Sequence, residues 1–132
     1  MGHIIDIVPT ILEAAGGKRI ETWAGKPVPA FPGKSLLPLF AKDGTVAHDS
    51  IWWLHQGNRA LRVGDWKIVA AGKESPWELY DLTTDRSESR NLASEKPEKI
   101  REMAAIWTKQ MEEYAALAAK DLPPEPKPNP QK

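Results

Sequence analysis

The sequence predicts an α+β domain, a four-stranded antiparallel sheet packed by one long C-terminal helix, with a short N-terminal helix and a long strap ahead of it. Three observations carry this. Residues 50 to 82 run in short apolar stretches separated by turn residues, the rhythm of a strand meander. Residues 97 to 119 place their apolar side chains three and four apart, in one helical stripe. Between a first helical pattern and the strands lies a segment too rich in proline and glycine to be either.

At the start, Ile4, Ile5, Val8, Ile11, Leu12 and Ala15 recur at helical spacing and share one face. Asp6 is an N-cap candidate, Pro9 sits in the first turn where proline is tolerated, and Gly16-Gly17 can end the helix. Little nearby could cover that stripe, so the helix reads as part of a larger body. Residues 18–48 contain Pro27, Pro29, Pro32 and Pro38, with Gly25, Gly33 and Gly44. They predict mostly loop, with one helical turn over Ser35 to Phe40. A loop of this length is unusual inside a compact domain and reads as a strap across a second one.

The strands follow. Ile51 to Leu54 is a β-type run, and Gln56-Gly57 offers a turn. Arg59–Val63 and Trp66–Ala71 are joined by Gly64-Asp65, whose leading glycine suits a type II′ hairpin. Trp77 to Leu82 makes the fourth run, and Trp52, Trp53, Trp66 and Trp77 are expected for the most part to pack the sheet. Pro97 suits a first helical turn, and Ile100, Met103, Trp107, Met111, Tyr114 and Ala118 make the stripe that would lie on the sheet. From Leu122 the proline-dense sequence is expected to be a disordered tail. The divisions are thus 1–17, 18–48, 49–121 and 122–132.

Composition narrows the function. Lys plus Arg and Asp plus Glu are 18 each, so nothing marks a nucleic-acid partner. No run approaches the length of a membrane span, and no membrane partner is expected. With no cysteine, there is no disulfide, thiolate metal site or cysteine nucleophile. The opening residues do not read as a signal peptide, and export of a longer parent stays open.

Several segments together resemble the C-terminal part of sulfatases of the alkaline-phosphatase-like superfamily. His3-Ile4-Ile5-Asp6-Ile7-Val8-Pro9-Thr10-Ile11-Leu12 is similar to the family helix HxxDxxPTxL, and Gly33-Lys34-Ser35-Leu36-Leu37-Pro38-Leu39 to the strap GxSLxPLL. Gly57-Asn58-Arg59-Ala60-Leu61-Arg62 and Asp65-Trp66-Lys67-Ile68-Val69 resemble two small-sheet strands of the family. Trp77-Glu78-Leu79-Tyr80-Asp81-Leu82, with Asp85, Glu88, Asn91 and Leu92, resembles ELYDLxxDxxExxNLA. The order and spacing of these segments, over residues 3 to about 115, make the match specific. Read from the residues alone, Tyr80-Asp81-Leu82 is a half-buried strand followed by a polar turn, a fold marker rather than a catalytic group.

The resemblance implies a parent that hydrolyses sulfate esters with a formylglycine, made from Cys or Ser in a C/S-x-P-x-R motif, beside a calcium ion. This chain has neither a cysteine nor a serine followed two residues later by proline. It also has no paired Asp-Asp or Asp-Asn for a hard cation, so no catalytic residue and no metal ligand is assigned here. The resemblance further implies that residues 1–17 close the parent's large α/β domain. The partners implied are the missing N-terminal sulfatase domain and the parent's sulfate-ester substrate. The candidate substrate-entrance residues are His55, Asn58 and Arg59, at the turn between the first two strands. His3 and His48 read as structural. A competing reading is a stand-alone carbohydrate-binding or interaction module, since six tryptophans could stack on sugar rings. It leaves the first helix and the strap without a purpose.

Overall fold

The computed structural model describes residues 2–42, 44 and 48–121. The chain divides into two compact units, one through Asp49 and one from Ser50. The expectation for the tail after Asp121 lies outside the described residues.

The first unit begins with a 3-10 turn, Ile4–Asp6, that runs into α1, Ile7–Ala14. Pro9 falls in the first turn of α1 as expected. Asp6 precedes α1, but its carboxylate makes no cap bond to that helix. Its Oδ2 accepts from His3 N–H at 2.8 Å and its Oδ1 from Lys34 N–H at 2.8 Å, so it stitches the strap down. Thr10 does the same one turn later: its hydroxyl donates to Asp6 O at 2.6 Å and accepts from Leu36 N–H at 2.8 Å. Gly33 sits where these segments touch. A Cβ there would lie 2.0 Å from Ile5 O, so only glycine permits the approach. The Asp and Thr of the first motif and the Gly of the second therefore form one backbone contact.

The strap holds a small hairpin that the proline-rich composition conceals. β1, Thr22–Trp23, pairs with β2, Lys26–Pro27, around Ala24 and Gly25, both with positive φ. A single-turn helix, α2, spans Pro38–Ala41, close to the predicted turn. Ile4, Ile7, Val8 and Ile11 are exposed, 49 to 74%.

The second unit is a meander of β3, Ile51–His55, β4, Asn58–Val63, β5, Trp66–Ala70, and β6, Glu78–Asp81, in that spatial order. It is followed by α3, Pro97–Asp121. Gln56 and Gly57 both have positive φ, which makes the first turn type I′. In the second turn only Gly64 does, as the predicted type II′ requires. The register aligns Trp52, Leu61, Ile68 and Leu79 across the strands. Leu61, Ile68 and Leu79 are fully buried together with Met103 of α3. Trp52, Trp66, Trp77 and Trp107 pack around this core. Trp107 stacks on Trp52 at 5.5 Å, meets Trp77 edge-on at 5.7 Å, and donates to Trp53 O at 3.2 Å. Trp53, one residue out of phase, lies on the opposite face of the sheet.

Candidate functional site

The β3–β4 hairpin brings the three sequence candidates to one end of the sheet and then separates them. His55 pairs directly with Asn58 across the turn, both are exposed, and both belong to the face away from α3. Arg59 is one residue further and belongs to the α3 face. Its Nη1 donates to Gly72 O at 3.1 Å and also to Lys73 O, its Nη2 donates to Ser75 O at 2.7 Å, and its guanidinium lies 4.6 Å from the Trp77 ring. These bonds fasten the hairpin to the 72–75 loop. Gly57 belongs to the same junction, since a Cβ there would be 3.3 Å from Lys73 N, on a backbone with φ of +84°.

Behind the tip, on the face carrying His55, is a hollow of about 280 Å³. Trp53, Ala60 and Val69 give it an apolar floor, and His55, Asn58 and Glu78 a polar rim. Trp53 was not among the sequence candidates. The signal that finds it is alternation, since it stands two residues before His55 and so shares its face.

At the other end of the sheet the ELYDLxxDxxExxNLA residues hold structure. Leu79 N–H donates to Asn91 Oδ1 at 3.1 Å, and Leu79 O accepts from Leu92 N–H at 2.8 Å. Asp85 accepts from Arg90 N–H at 2.9 Å and Ser89 N–H at 3.1 Å, and these bonds hold its carboxyl down at about 2. The Tyr80 hydroxyl donates to Glu78 at 2.5 Å, which with burial pushes it up to about 12. Glu88 pairs with Lys67 at 2.5 Å. Asn91 and Asp85 thus hold the loop between β6 and α3, Glu88 ties that loop to β5, and Tyr80 bonds within β6.

In the first unit the sequence reasoning left His48 without a partner. Its Nε2 lies 3.0 Å from Asp6 Oδ2, and both side chains are buried. A carboxylate can only accept, so Nε2 carries the proton. Burial raises the Asp6 carboxyl, but the N–H groups of Lys34 and His3 and the His48 ring together outweigh it and leave it lowered. This is a structural clamp in which both carboxylate oxygens are in use. Among the described residues no group of three or more His, Asp or Glu could hold a metal ion. The described residues therefore offer calcium no fitting set of ligands.

No family model matches the chain. An uncharacterized sulfatase of Schizosaccharomyces pombe is 33% identical over 127 residues, covering 89% of this chain and 22% of that protein. Arylsulfatase K of Danio rerio is 30% identical over 112 residues, covering 76% of this chain and 20% of that protein. Among solved structures, Ps i-CgsB matches with a TM-score of 0.58 and 23% identity, over 83% of this chain and 23% of that one. The architecture is therefore an α+β subdomain shared with much longer chains. Its curated relatives are sulfatases, and the chain belongs with them as a sulfatase-type C-terminal subdomain. It spans about a fifth of the length of the curated relatives it matches.

Proposed function

We propose that this chain is the C-terminal subdomain of a sulfuric ester hydrolase, that it buttresses the catalytic domain, and that the β3–β4 hairpin tip borders the substrate entrance. The observation that carries this is the pairing of two exposed polar side chains, His55 and Asn58, at a tip anchored by Arg59 within a chain related to sulfatases. Loop tips on rigid strands are where binding groups are usefully placed. A sulfate ester is an anion, and an imidazole or an amide can donate to its oxygens. Arg59 serves the entrance by fixing the tip, its guanidinium being already engaged.

The exposed stripe of Ile4, Ile7, Val8 and Ile11 supports assigning residues 1–17 to the parent's large α/β domain, which would cover it. Residues 18–48 then act as the interdomain strap. The aldehyde-hydrate nucleophile and the calcium ion belong to that domain in this reading, and the present residues supply neither. The stand-alone module loses much of its motive, because Trp52, Trp66, Trp77 and Trp107 are spent on packing helix to sheet.

Aryl sulfate turnover tests the division of labour. The purified chain is expected to be inert, and the parent carrying the C/S-x-P-x-R motif to be active. Turnover by the isolated chain that survives metal chelation would overturn the proposal.

A further inference from the structure

The face of the sheet turned away from α3 carries one row of side chains in register across all four strands: Trp53, Ala60, Val69 and Glu78. Three strand spacings, about 14 Å, separate its ends. Trp53, Ala60 and Val69 are half-buried and Glu78 is exposed. The row floors the hollow behind the hairpin tip, with His55 and Asn58 on the tip side and Glu78 on the β6 side.

Glu78 is held in place and only half used. The Tyr80 hydroxyl, two residues on and on the same face, donates to its Oε2 at 2.5 Å. Among the described residues Oε1 accepts from no donor and Glu78 has no ion pair. Lys67, on the same face, is drawn to Glu88. Arg59 also lines the hollow, but its guanidinium is turned to the carbonyls of Gly72 and Ser75.

A carboxylate accepts and cannot donate, and it repels a second anion most strongly where water is partly excluded. A sulfate group is therefore disfavoured on the β6 side of the hollow. A hydroxyl can donate to Oε1 there, while the C–H face of a saturated ring covers the apolar floor. We infer that Glu78 is a specificity-determining residue of this hollow: it keeps the sulfate out and admits the uncharged, hydroxyl-bearing part of the ester, leaving the sulfate toward His55 and Asn58. The inference rests on the reading of the hairpin tip as the substrate entrance.

NMR titration of the 132-residue chain tests it. Methyl glucoside, methyl galactoside and methyl xyloside serve as neutral probes and para-nitrophenyl sulfate as the anionic one, each taken to roughly 100 mM because single small rings bind weakly. At least one glycoside should saturably shift the Trp53 indole N–H and the Ala60, Val69 and Glu78 amides, and para-nitrophenyl sulfate should not. Glu78→Ala should weaken that glycoside about tenfold or more. Glu78→Gln keeps an acceptor for Tyr80 and for a ring hydroxyl but drops the charge, so it should retain the glycoside and admit para-nitrophenyl sulfate. No saturable shift with any glycoside would overturn the inference, as would a glycoside affinity unchanged in Glu78→Ala, or an aryl sulfate excluded equally by the unaltered chain and Glu78→Gln. Those failures would leave the entrance reading untouched. Glycoside binding beside unchanged kinetics of His55→Ala in the parent would count against the entrance instead.

Discussion

Among the described residues, the unit from Ser50 fully buries Leu61, Ile68, Leu79 and Met103, whereas the unit through Asp49 buries the side chains of Asp6, Thr10 and His48 while Ile4, Ile7, Val8 and Ile11 face outward. The same chain thus uses two opposite ways of holding a fold. The second unit is organised by apolar area, which is non-directional and tolerant of detail. The first is organised by one carboxylate and one hydroxyl that fix the backbone at His3, Lys34 and Leu36. The difference teaches what the motif residues are for. In the first unit Asp6, Thr10 and Gly33 are geometric parts that few other residues could replace. In the second, any well-shaped apolar side chain can serve the core.

That contrast can be broken first at its strongest point. Trp107→Ala removes the ring that joins Trp52 and Trp77 and the bond to Trp53 O, and it should cost about 3 to 5 kcal/mol in urea unfolding of the second unit. A loss under about 1 kcal/mol would mean that α3 is not docked through this residue.

Asp6→Ala should act locally. It strands the N–H groups of Lys34 and His3 at a cost of about 1 to 3 kcal/mol, so exchange of the Lys34 amide should quicken by roughly tenfold or more. The Leu61 amide in the second unit should be unaffected. Equal acceleration in both units would erase the distinction drawn between them.

The smallest effects come from titration in the second unit, and they sharpen the account of the signature loop. Asp85 is held at about 2 against the usual 3.8, so its contribution to stability is complete above pH 3.8 and is lost as pH falls toward 2. Tyr80 is raised from 10.0 to about 12, so its contribution is complete below pH 10 and is lost as pH rises through 12. Asp85→Asn should flatten the acid limb, and Tyr80→Phe the alkaline limb, of a stability-against-pH curve. An unchanged limb would detach Asp85 from the stability of the loop, or Tyr80 from that of β6.

Most of the second unit was legible in the sequence because its signals are local. Two-residue alternation, Gln56-Gly57 and Gly64-Asp65 specify the hairpins, and a stripe from Ile100 to Trp107 specifies the helix face. The first unit was legible only in part. The clamp joins Asp6 to Lys34 and His48 across 28 and 42 residues, and no periodicity encodes such a distance. Asp6 does stand at the N-cap of α1, but its carboxylate is spent on the strap and on the His3 N–H rather than on that helix. The β1–β2 hairpin was hidden because proline at 27 and 29 reads as loop. At the candidate site, His55, Asn58 and Arg59 were found from their place in a turn. What the sequence did not resolve was that the pleat sends Arg59 to the α3 face and leaves His55 and Asn58 with Trp53.

We proposed above that the hairpin tip borders the substrate entrance while the chemistry lies elsewhere in the parent. Steady-state kinetics of His55→Ala in the full-length parent tests it most directly. KM for a sulfate ester should rise or substrate preference change, with kcat and thermal stability much less affected, since an entrance contact acts on binding. Unchanged kinetics on every sulfate ester assayed would contradict the claim and make the hairpin scaffold alone.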